Sequence, residues 1–184
     1  SFAANINAAE GAVDILSADN KRFRSSVIGL IYVDYALEQS VFIAEIHDCI
    51  GELHAPNQII YPEAFVGVKA DVSYIYTRAG FEQDIILREN LPSPLEFGFN
   101  PATTRLEVIT EFIEAPVPIV STRTIRGFED EILNFGLMHI AYGKAFLIEG
   151  AVNSDRAQPV AKGWKQVAEG TFLIESLSYV AIRP

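Results

Sequence analysis

A single cysteine, Cys49, occurs in the 184-residue chain, so no internal disulfide can form and the redox compartment stays open. Long hydrophobic runs are also missing. The best apolar stretch, residues 27–33 (VIGLIYV), has the length of a strand, against the ~18 uncharged apolar residues of a membrane span. No basic segment followed by an apolar one marks a secretory leader, and there is no Asn-x-Ser/Thr sequon. The chain begins at Ser1 rather than Met, as expected of a processed or excised sequence. Basic side chains are outnumbered, 14 against 24 acids, which gives a net charge of −10. Phosphate backbones and anionic lipid repel such a chain, so nucleic-acid and membrane-surface binding are not expected.

Familiar catalytic signatures are absent too. There is no G-x-S-x-G elbow, no H-E-x-x-H pair and no glycine-rich dinucleotide turn. Residues 136–145 (GLMHIAYGKA) end in Gly-Lys, but six residues separate the glycines and alanine follows Lys144, so this is not a phosphate loop.

What is present is alternation. Hydrophobic residues make up 49% and charged residues 21%, enough apolar bulk for a folded domain with a sizeable core. In residues 68–77, Val68, Ala70, Val72, Tyr74 and Tyr76 share one strand face, and Lys69, Asp71, Ser73 and Thr77 the other, interrupted by Ile75. Arg78, Ala79 and Gly80 supply a turn, and Phe81, Gln83, Ile85 and Leu87 resume the alternation, which predicts a hairpin. The same logic pairs residues 27–34 with 40–48 across a loop at 35–39. It places strands at 105–113 (helix being the alternative there), 118–125, 137–141 and 145–149, the last two joined by Tyr142, Gly143 and Lys144. A final pair covers 164–167 and 172–177 around Ala168, Glu169 and Gly170. Many short strands at close spacing predict an all-β antiparallel sandwich, or a barrel-like variant, with at most one or two short helices. Residues 21–184 read as one domain. Residues 1–20, small and sparsely apolar, read as an N-terminal arm or edge strand that makes contacts outside the core, or as a loose terminus.

Several ordered phrases, NQIIYPEAFVGVKADVSYIYTRAGFEQDIILRE, NPATTRLEVITEF, GKAFLI and GTFLIES, together resemble a β-rich region of very large secreted or cell-surface bacterial proteins that also carry RHS/YD repeats or lectin-like modules. The resemblance covers roughly residues 27–178. It implies a bacterial, exported, modular setting at the cell surface or outside the cell, and it brings no catalytic residues with it.

The most chemical stretch is 45–54, EIHDCIGELH, with two of the three histidines, the cysteine and three carboxylates. If a strand runs through it, Phe42, Ala44 and Ile46 face the core, while Val41, Ile43, Glu45, His47 and Cys49 share the other face. Side chains two apart on a strand face lie about 6.6 Å from each other, so Glu45, His47 and Cys49 are candidate oxygen, nitrogen and sulfur ligands for zinc, with His54 or His139 completing a site. Paired Cys/His spacing is missing, and a polar hairpin end with Gly51 in the turn is the favoured reading. A Cys49 nucleophile with His47 or His54 as base lacks an orienting group. Carboxylates cluster at Glu129, Asp130 and Glu131 and along Glu82, Asp84 and Glu89, where a glycan-cleaving pair is conceivable. Asn153, Ser154 and Asp155 are a fragment of a calcium loop. Trp164, Tyr74, Tyr76, Tyr142 and Tyr179 are candidates for a sugar-stacking platform, Trp164 being the one expected to be partly exposed, although most aromatics in a β domain fill its core.

The sequence therefore predicts a non-catalytic structural or protein-interaction module without a cofactor. Its expected partners are other protein chains, copies of itself among them, engaged through the N-terminal arm. A carbohydrate-binding sandwich and a carboxylate-dependent glycan-active enzyme are the alternatives.

Overall fold

The computed structural model describes residues 1–78, 80–146 and 157–182. They form an all-β fold with three sheets, and the largest curls like half a barrel. Its central strands are β2 (Arg22–Asp34) and β9 (Thr104–Glu114), paired antiparallel. Beyond β9 lie β15 (Gly170–Ser178), β14 (Gln158–Val167) and the short β13 (Gly143–Ala145). The far edge of β2 is shared: β1 (Val13–Leu16) pairs with its first half and β3 (Gln39–Ile46) with its second, and β6 (Phe65–Val66) follows β3. A four-stranded sheet, in the order β4 (Glu52–Ala55), β5 (Gln58–Tyr61), β7 (Ala70–Tyr76) and β8 (Phe81–Leu87), faces the large one. A third sheet joins β10 (Ile119–Ile125), β11 (Phe128–Asn134) and β12 (His139–Ile140). Pro94–Phe97 and Tyr179–Ala181 are single 3₁₀ turns.

The main core lies between the two larger sheets. Val27, Leu30, Tyr32, Leu106 and Leu177 of one meet Ile59, Tyr61, Ala70, Val72 and Tyr74 of the other. The alternation read along residues 68–74 is that inward face, while Tyr76, at the strand end, is half exposed. A smaller core under the third sheet gathers Phe23, Leu133, Phe135, Trp164 and Leu173, with the Trp164 ring 4.9 Å from Phe112 and 5.6 Å from Phe135.

Bulges curve the large sheet, and two of them lie beside Gly29. Between Val27 and Gly29 the pairing of β2 with β9 slips by one residue, and between Phe42 and Ala44 that of β3 with β2 does the same. An extra residue bends a strand and reverses the phase of its side chains. Hence Ile43 and Ala44 are both buried and Phe42 is 49% exposed, against the expectation that Phe42 faces the core and Ile43 does not. Gly29 makes the slip possible, since a Cβ there would stand 2.6 Å from the Ala44 carbonyl oxygen and 2.9 Å from the Phe42 ring.

Other expectations need correction. The segment 137–141 is a strand only at His139–Ile140, and the predicted Tyr142-Gly143-Lys144 turn gives way to β13, which pairs with β14. Of the predicted 145–149 strand Phe146 is not strand and residues 147–149 lie outside the described residues, as does Ala79 of the hairpin turn, although the Thr77 N–H closes that turn on the Gly80 carbonyl at 2.8 Å. Residues 104–114 are strand rather than helix. Part of the N-terminal segment is the edge strand that was one of its expected forms, β1 on β2, and the segment belongs to the core instead of being a separate contact element. Ile6, Ala12 and Val13 are 0–1% exposed, and Phe2 stacks on Tyr74 at 5.8 Å. Its small side chains are what allow this close packing, and its main chain is bonded on both sides: Ala3 N–H to Ala12, Ile6 N–H to Cys49, and Gly51 N–H to Ala4.

Candidate functional site

The stretch 45–54 becomes a joint. β3 ends at Ile46, so Glu45, His47 and Cys49 no longer share one strand face. Glu45 lines a shallow depression of ≈ 390 Å³ with Asn7, Phe42 and Glu111. His47 donates Nε2–H to the Glu63 carbonyl at 2.8 Å; a carbonyl can only accept, so that nitrogen carries the proton. The Cys49 thiol donates to the neighbouring Pro62 carbonyl at 2.8 Å, and its backbone N–H reaches Asn5 Oδ1 at 3.2 Å. Glu63, held at φ 47°, is fixed from the other side by its N–H to Asp71 Oδ1 at 2.9 Å, and Arg88 pairs with the other oxygen of Asp71 at 2.6 Å. Four segments of chain thus meet through side-chain bonds to main chain.

That arrangement argues against the chemistry these residues suggested. Burial, and then the carboxylates of Asp71, Glu52 and Glu63, push the Cys49 thiol up, away from the thiolate that a nucleophile or a zinc ligand requires. His54 and His139 lie in β4 and β12, in separate sheets, and both are exposed. Among the described residues, no group of three or more His, Cys, Asp or Glu side chains could hold a metal ion. Asn153, Ser154 and Asp155 lie outside them.

The acidic cluster on β11 splits three ways. Glu129 is exposed. Asp130, 0% exposed, takes the backbone N–H of Lys162 at 2.9 Å, its ammonium at 2.6 Å and Arg123 Nε at 2.7 Å. The Glu131 carboxylate takes the backbone N–H of Trp164. β13 covers only the first residues of the β14 edge, and these two carboxylates accept from N–H groups further along it. β11 therefore joins the large sheet through side chains instead of a strand ladder.

A second buried set ties the opposite face. Arg105 donates to the Ser176 hydroxyl at 2.7 Å, Ser176 donates to Glu107 at 3.0 Å, and Tyr35 donates to the same carboxylate at 2.8 Å. Phe128, at the start of β11, caps the Arg105 guanidinium at 3.7 Å. Burial, reinforced by Glu107, pushes the Tyr35 hydroxyl up to about 12. Asp34 is also spent structurally, accepting from Thr103 Oγ1 and from the N–H groups of Asn100, Ala36 and Leu37.

The carboxylates pushed upward are Glu175 and Asp84. Glu175 on β15 is pushed up to about 6, first by burial and then by Asp84, against the pull of Lys162 and Gln83. Asp84, exposed on β8, is raised by partial burial and by Glu82. A glycan-cleaving pair works across a cleft, and neither this depression nor the second cavity described below is lined by these two residues.

The candidate aromatic platform does not assemble, and three of its five rings fill the core as the favoured reading had it. Tyr74, Tyr179 and Trp164 are buried, Trp164 at 8% exposure against the expectation of a partly open ring; Tyr76 and Tyr142 alone of the five are open. The ties that sequence reasoning missed run from Asn5, Lys162, Arg105 and Glu107. Each depends on a partner at least 30 positions away, so no local spacing marks it.

No family model, curated protein or solved structure matches the chain.

Proposed function

We propose that this chain is a non-catalytic structural or protein-interaction module of a large exported bacterial protein. One observation carries the reading: the groups with catalytic or ligating chemistry are used to hold sheets and loops together. Cys49 and His47 bond to carbonyls, Asp130 and Glu131 bond to the β14 edge, Asp34 accepts from loop N–H groups, and Arg105 and Glu107 are joined through Ser176. The resemblance of residues 27–178 to a β-rich region of giant surface proteins supplies the setting. β10 offers the surface for other protein chains: among the described residues it pairs only with β11, and Ile119 and Val120 on it are 75% and 43% exposed. An open edge of this kind can accept an extended segment of another chain. The N-terminal arm is committed to its own core and has no part in this reading.

The test is a turnover screen on glycans, esters and peptides with the intact chain. The reading expects no turnover above background. Hydrolysis of any substrate that is lost in Glu175→Gln or Asp84→Asn, with the unfolding midpoint not lowered, would overturn it in favour of the carboxylate-dependent enzyme.

A further inference from the structure

We infer that the cavity between β10 and β13 binds an acidic sugar, a uronate-type ring presenting one carboxylate. The cavity, of ≈ 330 Å³, is lined by Arg123 and Ile125 of β10, by Tyr142 and Lys144, and by Pro159 of β14. That volume is at the lower end of small-molecule sites, which span about 300–1,000 Å³.

Charge is the first argument. The chain carries −10, yet the described lining holds two cations and no carboxylate. Arg126, at the tip of the β10–β11 hairpin with φ 48°, adds a third by donating to Gln158, which lies between the lining residues Ala157 and Pro159. Asp130, the acid opposite Arg123 in the β10–β11 pairing, is already shared between Arg123 and the buried Lys162. Arg123 uses Nε for that bond, and among the described residues nothing bonds its two terminal nitrogens, which can face a ligand. The Lys144 ammonium is exposed and has no partner among the described residues. A concentration of free donors in an otherwise acidic surface draws in an anion locally.

Shape is the second. Tyr142 is 71% exposed, held in place by the Arg123 guanidinium 4.4 Å from its ring centre, and Ile125 and Pro159 complete an apolar wall. A sugar ring offers C–H groups to that wall while its carboxylate meets Lys144 and Arg123. A nucleic-acid backbone would need a longer basic stripe than the surrounding acidic surface allows. An acidic peptide has the charge but no ring for Tyr142. The assignment adds a ligand to the structural reading and does not depend on it.

Isothermal titration of the intact chain with trigalacturonate, galactotriose and a glutamate-rich peptide tests the assignment. Trigalacturonate is expected to bind, and to bind at least about tenfold more tightly than either control. Lys144→Gln and Tyr142→Ala should each weaken it by about tenfold or more, added salt should weaken it further, and neither variant should move the unfolding midpoint. Absence of binding at about 10 mM ligand, equal binding of galactotriose, tighter binding of the peptide, or unchanged affinity in both variants would each overturn the assignment. A screen that found catalysis elsewhere on the chain would sink the structural reading and leave this site untouched.

Discussion

The ammonium of Lys162 lies 2.6 Å from Asp130 Oδ1, and the backbone N–H of the same lysine reaches the same oxygen at 2.9 Å. One carboxylate thus neutralises a buried cation and caps an open strand edge. Asp130→Ala removes both functions and leaves Lys162, whose side chain is 1% exposed, without its counter-charge. The expected cost is about 3–5 kcal/mol in urea unfolding. Replacing the pair together, Asp130→Leu with Lys162→Met, should recover much of that loss, because apolar packing avoids desolvating two charges. A single variant with wild-type stability would show that the pair carries no weight.

The thiol of Cys49 should be sluggish. Its raised pKa and its bond to the Pro62 carbonyl predict slow alkylation at neutral pH compared with a free thiol. Cys49→Ser keeps a donor in place and is expected to cost on the order of 1 kcal/mol. A chelator should leave the unfolding midpoint where it was. A drop of many degrees on chelation would restore Glu45, His47 and Cys49 as metal ligands.

Deleting residues 1–16 should abolish cooperative unfolding. The deletion removes β1 and the fully buried Ile6, Ala12 and Val13, and it strips main-chain partners from Cys49 and Gly51. A truncated chain that melts at the wild-type temperature would mean the arm is dispensable.

Stability should depend on pH through Glu175. Its carboxyl holds a proton up to about pH 6 in the folded state, against 4.5 as the ordinary value. The folded state therefore binds more protons in that window, and the group's favourable contribution, complete below about 4.5, is lost as pH rises through about 6. Glu175→Gln should stabilise the protein near pH 7 by about 1–2 kcal/mol and change little near pH 4. A destabilised variant at pH 7 would contradict this. Asp34 works in the opposite sense. Burial raises it, but the Thr103 hydroxyl and three backbone N–H groups outweigh burial and lower it, so its contribution disappears as pH falls through a value below 3.8.

How much of this was legible follows from the range of each interaction. The β7–β8, β2–β3 and β14–β15 hairpins and strand β9 show in the sequence because period-2 alternation is local. The bulge that turns Phe42 outward does not, since it depends on Gly29 in the neighbouring strand. Nor did the polar stripe of β7 reveal that Asp71 is buried, because its partners, Arg88 and the N–H of Glu63, come from other segments. The missing Cys/His spacing favours a polar hairpin end in the stretch 45–54, but β3 and β4 on either side of it lie in different sheets, so it is a connection between sheets and not a hairpin. The carbonyls of Pro62 and Glu63 that occupy Cys49 and His47 have no side-chain signature at all. The acidic run 129–131 was visible as charge, but its division into an exposed acid and two edge-capping acids was set by the unseen course of β14.

The most direct measurement of the central claim, that these polar groups hold the sheets together, is amide hydrogen exchange at Lys162 and Trp164. Their N–H groups lie beyond the reach of β13 and are capped by Asp130 and Glu131. If the carboxylates act as a substitute strand, both amides exchange only with global unfolding, and the Lys162 amide becomes fast in Asp130→Ala. Fast exchange of both amides in the unaltered chain would contradict the account.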